Sequence, residues 1–151
     1  MFGKIGLGVA VLLVSAMPAL ADAAACGDTP VPPALPSASD INHDSPADAA
    51  KAKHQAFLDV VHWQKSDLKT FRDCLSAATN DDNRKIAAAQ QSGDKNAADT
   101  VAGLQADMTK LNGLYDASVD TEKRVVGEFA AISSAFCSRK DVDQATCPKQ
   151  Q

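Results

Sequence analysis

The sequence predicts an all-α protein whose main element is a long antiparallel helical hairpin. Three observations predict it. No proline stands between Pro46 and Pro148, apolar residues recur with helical spacing in two long runs, and a turn containing Gly93 separates the runs. Of the residues, 45% are hydrophobic but only 5% are aromatic, so we expect a narrow core lined mainly by small side chains.

The first 21 residues are typical of a secretory signal peptide. Lys4 precedes an apolar run over residues 5–14, and the small-residue site Ala19-Leu20-Ala21 follows it. A run of this length is too short to span a bilayer, which takes about 20 residues. We therefore expect no membrane span and a mature protein that is periplasmic or secreted.

A lipid anchor on Cys26 is the alternative form of export. Residues 23–26 loosely resemble a bacterial lipoprotein processing site, in which the cysteine becomes the lipidated first residue. The position three before the cysteine is Ala23 where leucine is usual, and Asp22 separates the apolar run from the site. Lipidation would also leave one cysteine unpaired, so no lipid anchor is expected.

Four cysteines lie after the signal peptide, and an even count in an exported chain favours two disulfides. Cys137 and Cys147 flank a polar stretch in which the chain can turn back. Their spacing favours a Cys137–Cys147 bond and leaves Cys26 to pair with Cys74, although three connectivities are formally possible. The chain has no Cys-x-x-Cys pair, which makes a redox or zinc site the weaker interpretation.

Proline divides the mature chain into three predicted parts. Residues 22–46 hold five prolines and are expected to be an extended, polyproline-like segment. Residues 47–139 are proline-free and rich in alanine, which suits a helical hairpin domain. Residues 140–151 form a C-terminal tail tied back by a disulfide.

Each arm of the hairpin has one apolar line with alternating steps of three and four residues, as in helices that pack on helices. The first line runs through Ala47, Ala50, His54, Phe57, Val61, Gln64, Leu68, Phe71, Leu75 and Ala78. The second line runs through Ala97, Val101, Leu104, Met108, Leu111, Tyr115, Ser118, Glu122, Val125, Phe129, Ile132 and Phe136.

Folding the chain about Gly93 brings the two lines into register. Phe57 then lies opposite Phe129, and the polar residue of the first line, Gln64, lies opposite Glu122 of the second. We interpret this pair as a polar layer that fixes the register rather than as an acid–base site. At 1.5 Å per residue, the arms would make a hairpin of about 65–70 Å.

A three-helix bundle is the alternative fold. Residues 80–83 are poor helix formers, and residues 120–122 have the composition of a helix start. The first arm crosses residues 80–83 only if Asp82 faces inward. The second line runs unbroken through Glu122, which favours the hairpin.

Three apolar residues lie beside the two lines and mark a predicted partner surface: Val60, Trp63 and Val126. A hairpin shields one face of each arm, so something must cover these side chains. The Pro-rich segment can lie back along the arm, or a second copy can dock to form a four-helix homodimer.

The remaining candidate chemistry is sparse. A net charge of −4 argues against nucleic acid as a partner. His54 and His62 lie about 12 Å apart along a helix axis, too far to share one metal ion, and His43 lies in the extended segment. The charged residues of the first arm are interpreted as an exposed helix face: Lys65, Asp67, Lys69, Arg72 and Asp73.

The sequence contains none of the common hydrolase, nucleotide-binding, zinc-protease or kinase signatures. We therefore expect no enzymatic activity and no cofactor. The predicted function is that of a structural or interaction protein of the bacterial envelope, which presents helix surface to another envelope protein or to a second copy. A periplasmic protein that binds a metal or a small ligand through its histidines is the alternative.

Overall fold

The computed structural model describes residues 23–147, so the predicted signal peptide and the last four residues lie outside the described residues. This part of the chain is helical and contains no strand, which confirms the all-α class. Its long helices are α2 (Pro46–Trp63), α3 (Lys69–Ser92) and α4 (Ala97–Cys137). The short elements are α1 (Ala38–His43), a π-helical turn (Gln64–Leu68) and two 3-10 turns (Ala23–Cys26 and Gln144–Thr146).

The long-hairpin prediction is confirmed. Helix α2, the π-helical turn and α3 form one continuous arm, and α4 is the other. The arms are joined at Gly93, whose φ of 65° is left-handed and ends α3. Residues 80–83, where a three-helix bundle would break the chain, lie inside α3, and residues 120–122 lie inside α4. We call the Gly93 end the tip and the opposite end the base.

The predicted register also holds. The rings of Phe57 and Phe129 lie with centroids 6.1 Å apart, and Gln64 donates a hydrogen bond to Glu122. Leu75 and Leu111 share one buried cluster with Phe71.

The segment predicted to be extended contains one helix. Residues 27–37 form no helix, but α1 follows because Ser37 caps it: the Ser37 hydroxyl accepts from the Asp40 N–H at 3.0 Å and the Asp40 carboxylate accepts from the Ser37 N–H at 3.1 Å. Proline is also absent between Pro36 and Pro46, so nothing in this stretch prevents a helix. The prediction of an extended segment over residues 22–46 is therefore wrong for α1.

Residues 27–37, which we call the strap, run back along the first arm. The strap is fixed at one end by the Cys26–Cys74 disulfide and at the other by α1. Leu35 of the strap packs against the buried cluster that contains Val60 and Trp63. The strap thus covers one side of the hairpin, as one of the two predicted coverings would.

This covering corrects the predicted partner surface. Val60 is 5% exposed and Trp63 is 2% exposed, so the prediction is wrong for both residues. They are core residues between the two arms and the strap. Val126 is 44% exposed and stays a surface residue.

The base is held together by several contacts. Ile41 of α1 is fully buried in one cluster with Ala56 and Ile132. Arg139, just beyond α4, donates to the carbonyl oxygens of Ile41 (2.6 Å) and Asp44 (2.9 Å). The second disulfide, Cys137–Cys147, ties the tail to α4, and both bonds match the connectivity that the sequence favours.

The π-helical turn changes the face that the first arm buries. Trp63 and Leu68 are both buried although they are five residues apart, whereas a regular α-helix repeats its face after three or four. After Leu68 the buried residues follow the predicted line. Before the turn they precede it by one position: Ala56 and Val60 are buried, whereas the predicted Phe57 is 48% exposed.

A pair of single-residue deletions tests this interpretation. Ser66 is exposed within the π-helical turn, so its deletion should restore regular α-helix and leave both flanking faces in place. We expect its free energy of unfolding to stay within about 1 kcal/mol of the wild type. Deleting Gln55, which is exposed in α2, rotates the two parts of α2 by about 100° relative to each other. Either Val60 and Trp63 or the buried residues before Gln55 then leave the core, and the free energy of unfolding should fall by about 3 kcal/mol or more.

Urea denaturation followed by far-UV circular dichroism measures both values. Equal losses in the two deletion variants would show that the extra residue of the π-helical turn is not what sets the buried face.

Candidate functional site

Two packed helices leave a groove on each side of their contact, and the strap fills only one. Phe57 follows buried Ala56 by one residue and therefore points about 100° around α2, away from the strap. We call this second side the open face and define it by four residues: Phe57, Tyr115, Val126 and Phe129. Phe57, Tyr115 and Val126 are 48%, 40% and 44% exposed, and Phe129 is partly buried.

The open face contains a pocket near the base, which we call the basal groove. Its volume is about 300 Å³, and its lining residues are Ala50, Lys53, His54, Phe57, Phe129, Phe136 and Thr146. A shallower depression adjoins it along α4, from Val126 to Ser138. The two share Phe129, so the apolar surface is continuous across this part of the open face.

Lys53 supplies the positive charge of the basal groove. Its Nζ donates to the carbonyl oxygen of Thr146 at 3.0 Å, lies 4.6 Å from the ring centroid of Phe136 and stands 3.9 Å from Sγ of Cys137. Burial lowers the pKa of this ammonium from its ordinary value. The groove therefore combines aromatic walls with a partly desolvated cation.

A polar layer crosses the middle of the hairpin. Gln64 Nε2 donates to Glu122 Oε1 at 2.8 Å, which places the predicted pair in contact. Arg72 joins them: Nη1 donates to Glu122 Oε2 at 2.7 Å and Nε donates to Ser118 Oγ at 2.9 Å. The prediction that Arg72 belongs to an exposed helix face is wrong, because its side chain is only 19% exposed.

The polar layer keeps the Glu122 carboxylate ionised. Burial on its own would raise its pKa, but the hydrogen bonds from Arg72 and Gln64 and the charge of Arg72 outweigh burial, so the pKa lies below its ordinary value. Both carboxylate oxygens accept hydrogen bonds from these two side chains. Such a fully engaged carboxylate is suited to fixing the register of the arms.

A pair of carboxyl groups is buried nearer the tip. Asp82 is 0% exposed and Asp107 is 6% exposed. Neither oxygen of Asp82 has a hydrogen-bond partner among the described residues, and Lys85 Nζ is 4.0 Å from the nearer one. Burial, followed by repulsion from Asp107, raises the pKa of Asp82. A first arm that continues through residues 80–83 predicts an inward Asp82, as observed. Nothing in the predicted lines indicates that Asp107 is buried.

The helical spacing is nevertheless compatible with a buried residue at position 107. It lies three residues after Leu104 and four before Leu111, and both leucines are buried. Three- and four-residue steps through these leucines therefore reach position 107 as readily as position 108, where Met108 was predicted.

The histidines do not form a cluster. His43, His54 and His62 are all exposed, and His54 alone of them lines the basal groove. Among residues 23–147 there is no group of three or more His, Cys, Asp or Glu side chains placed to hold a metal ion. No helix in this same range is both long enough and apolar enough to cross a membrane.

Comparison with protein-family models, with curated proteins and with solved structures finds no match to this chain.

Replacing Glu122 with glutamine tests the polar layer. The variant leaves Arg72 without a carboxylate, and we expect the free energy of unfolding at pH 7 to fall by about 1–2 kcal/mol, a modest loss because both side chains keep some contact with water. The pKa of Glu122 is lowered on folding, so its stabilisation is present above its ordinary value of 4.5 and is lost as the pH falls through the folded value.

Urea denaturation at pH 7 and at about pH 3 should therefore show a difference between wild type and Glu122→Gln that shrinks at the acidic pH. An unchanged difference at the two pH values would contradict an ionised, hydrogen-bonded Glu122.

Replacing Asp82 with asparagine should have the opposite effect. The pKa of Asp82 is raised on folding, so its charge destabilises the fold at neutral pH, and the penalty disappears as the pH falls through the folded value towards 3.8. We expect Asp82→Asn to stabilise the protein by about 1 kcal/mol at pH 7, because a buried charge without a hydrogen-bond partner is removed.

Asp81 is the matched control. It neighbours Asp82 but pairs with Arg84 (2.9 Å) and Lys85 (2.7 Å), and its pKa is lowered chiefly by the hydrogen bond from Lys85. Asp81→Asn should therefore destabilise slightly where Asp82→Asn stabilises. Urea denaturation of both variants measures this difference. A loss of stability in Asp82→Asn would show that the folded protein stabilises the charge of Asp82.

Proposed function

We propose that this protein is an exported helical interaction protein of the bacterial envelope that presents its open face to a protein partner. The observation that carries the proposal is that only one of the two grooves of the hairpin is filled. The strap fills one groove, while on the other Phe57 and Val126 remain about half exposed beside a continuous apolar depression. Contiguous exposed apolar surface of this kind is typical of interaction sites.

Two features support export. Two disulfides are typical of a protein from an oxidising compartment such as the periplasm. The first 21 residues have the pattern of a signal peptide. A lipid anchor is not part of the proposal, because the sulfur of Cys26 that a lipid would modify is bonded to Cys74.

The helices that carry the open face are held in place by contacts on the opposite side and at the base. On α2, Val60 and Trp63 pack under the strap, so the helix that carries Phe57 is held against α4 from the opposite side. Arg139 and the second disulfide fix the end of α4. A surface ordered before binding loses less conformational entropy when a partner docks, which favours affinity.

Site-specific photocrosslinking in the native host tests the proposal. A photoreactive amino acid replaces Val126 on the open face in one variant and Leu58 in a control. Leu58 is equally exposed at 44% and lies on α2 one residue beyond Phe57, about 100° further around the helix. We expect a discrete adduct from position 126 that is absent from position 58.

The adduct is then identified by mass spectrometry and its partner is purified. Binding measured by calorimetry should weaken by about tenfold or more in Val126→Asp and remain unchanged in Leu58→Asp. An adduct with twice the mass of the protein identifies a second copy as the partner. Equal crosslinking from the two positions, or none from either, would contradict the proposal.

A further inference from the structure

Lys53 differs from the other partly buried basic side chains of the described residues. There are four such side chains, and three of them have a carboxylate within 2.7–2.8 Å: Arg72 with Glu122, Lys85 with Asp81 and Arg139 with Asp141. No carboxylate lies within 4.0 Å of the Lys53 ammonium in residues 23–147. A partly desolvated charge without a counter-charge is unfavourable, so this position calls for an explanation.

Within residues 23–147, the contacts found for the Lys53 ammonium are with neutral groups. The carbonyl oxygen of Thr146, the sulfur of Cys137 and the ring of Phe136 surround the ammonium on the protein side. They orient the ammonium at the edge of the basal groove without neutralising its charge. The lowered pKa of Lys53 has burial as its cause and shows the same lack of compensation.

The walls of the basal groove are mainly apolar, and its polar lining residues are Lys53, His54 and Thr146. Phe57, Phe129 and Phe136 line it, and the first two are stacked at a tilt with centroids 6.1 Å apart. Its volume of about 300 Å³ is at the lower end of the range for small-molecule sites. Such sites combine mainly apolar walls with a few polar groups that fix the orientation of the ligand.

We propose that the basal groove binds a small amphipathic carboxylate, with its apolar body against Phe57 and Phe129 and its carboxylate paired with Nζ of Lys53. The carboxylate supplies the counter-charge that residues 23–147 do not. This inference concerns a small molecule rather than a protein partner, and it stands or falls independently of the proposed interaction function.

Four probes of matched size separate charge from hydrophobicity: octanoate, hydrocinnamate, the neutral octanamide and the cationic octylamine. They are titrated at pH 7 into the mature protein with both disulfides intact, and binding is followed by calorimetry and by two-dimensional NMR. We expect saturable binding of the two carboxylates, with shifts confined to the residues of the basal groove. Octanamide should bind with an affinity at least about tenfold lower, and octylamine should not bind.

Lys53→Met removes the charge and keeps an unbranched side chain that is one atom shorter. It should weaken octanoate binding by about tenfold or more, to the level of octanamide. Lys51→Met is the matched control, since Lys51 is exposed on the same helix and does not line the groove. Phe57→Ala should weaken octanoate and octanamide alike, because it removes apolar contact and no charge.

The proposal is overturned if the carboxylates show no saturable binding up to about 10 mM. Equal affinity for octanoate and octanamide, or unchanged octanoate binding in Lys53→Met, would overturn it as well. None of these results would alter the crosslinking expected from Val126.

Discussion

Two packed helices have two grooves, and in the described residues the strap covers only one of them. The Cys26–Cys74 disulfide decides which groove that is, because it fixes the start of the strap on the side of α3 where Cys74 lies. From there an extended chain at about 3.1 Å per residue reaches back to the base, where α1 docks. Burial of Trp63 and exposure of Phe57 are therefore two results of the same constraint.

The support for the hairpin decreases from base to tip. The base has a third helix, a disulfide and the contacts of Arg139, whereas the tip has two arms and a turn. The polar layer at Glu122 lies between them. Near the tip the interior includes Asp82 and Asp107 in place of apolar side chains. Local opening should therefore start at the tip, because fewer apolar contacts must be broken there.

The sequence predicted the second arm better than the first, for a physical reason. In α4 the three- and four-residue steps are unbroken, and buried residues such as Leu111, Val125 and Ile132 follow them. In the first arm the π-helical turn adds one residue, which no constant helical period reproduces. The sequence does hint at this change of buried face, because Val60 and Trp63 are apolar although they lie beside a predicted line that needs no further apolar residues.

The candidate site was less predictable than the fold. The pairing of Gln64 with Glu122 follows from the register, but Arg72 lies on neither predicted line, so its contact with Glu122 does not follow from them. The basal groove depends on the end of α4 and on the tail, since Cys137 and Thr146 orient Lys53. These contacts join residues that are far apart in the chain, and helical periodicity carries no information about them.

Lys53 and Asp82 are both charged groups without full compensation, yet their surroundings give them different consequences. They are 29 residues apart in one arm, about 43 Å at 1.5 Å per residue, and salt screens charges over about 8 Å. Neither charge therefore affects the other. Lys53 lies in the strongly supported base, where an ammonium with no carboxylate near it among residues 23–147 can be held in place for the proposed ligand. Asp82 lies in the thin tip, where the same lack of a partner instead weakens the contact between the arms.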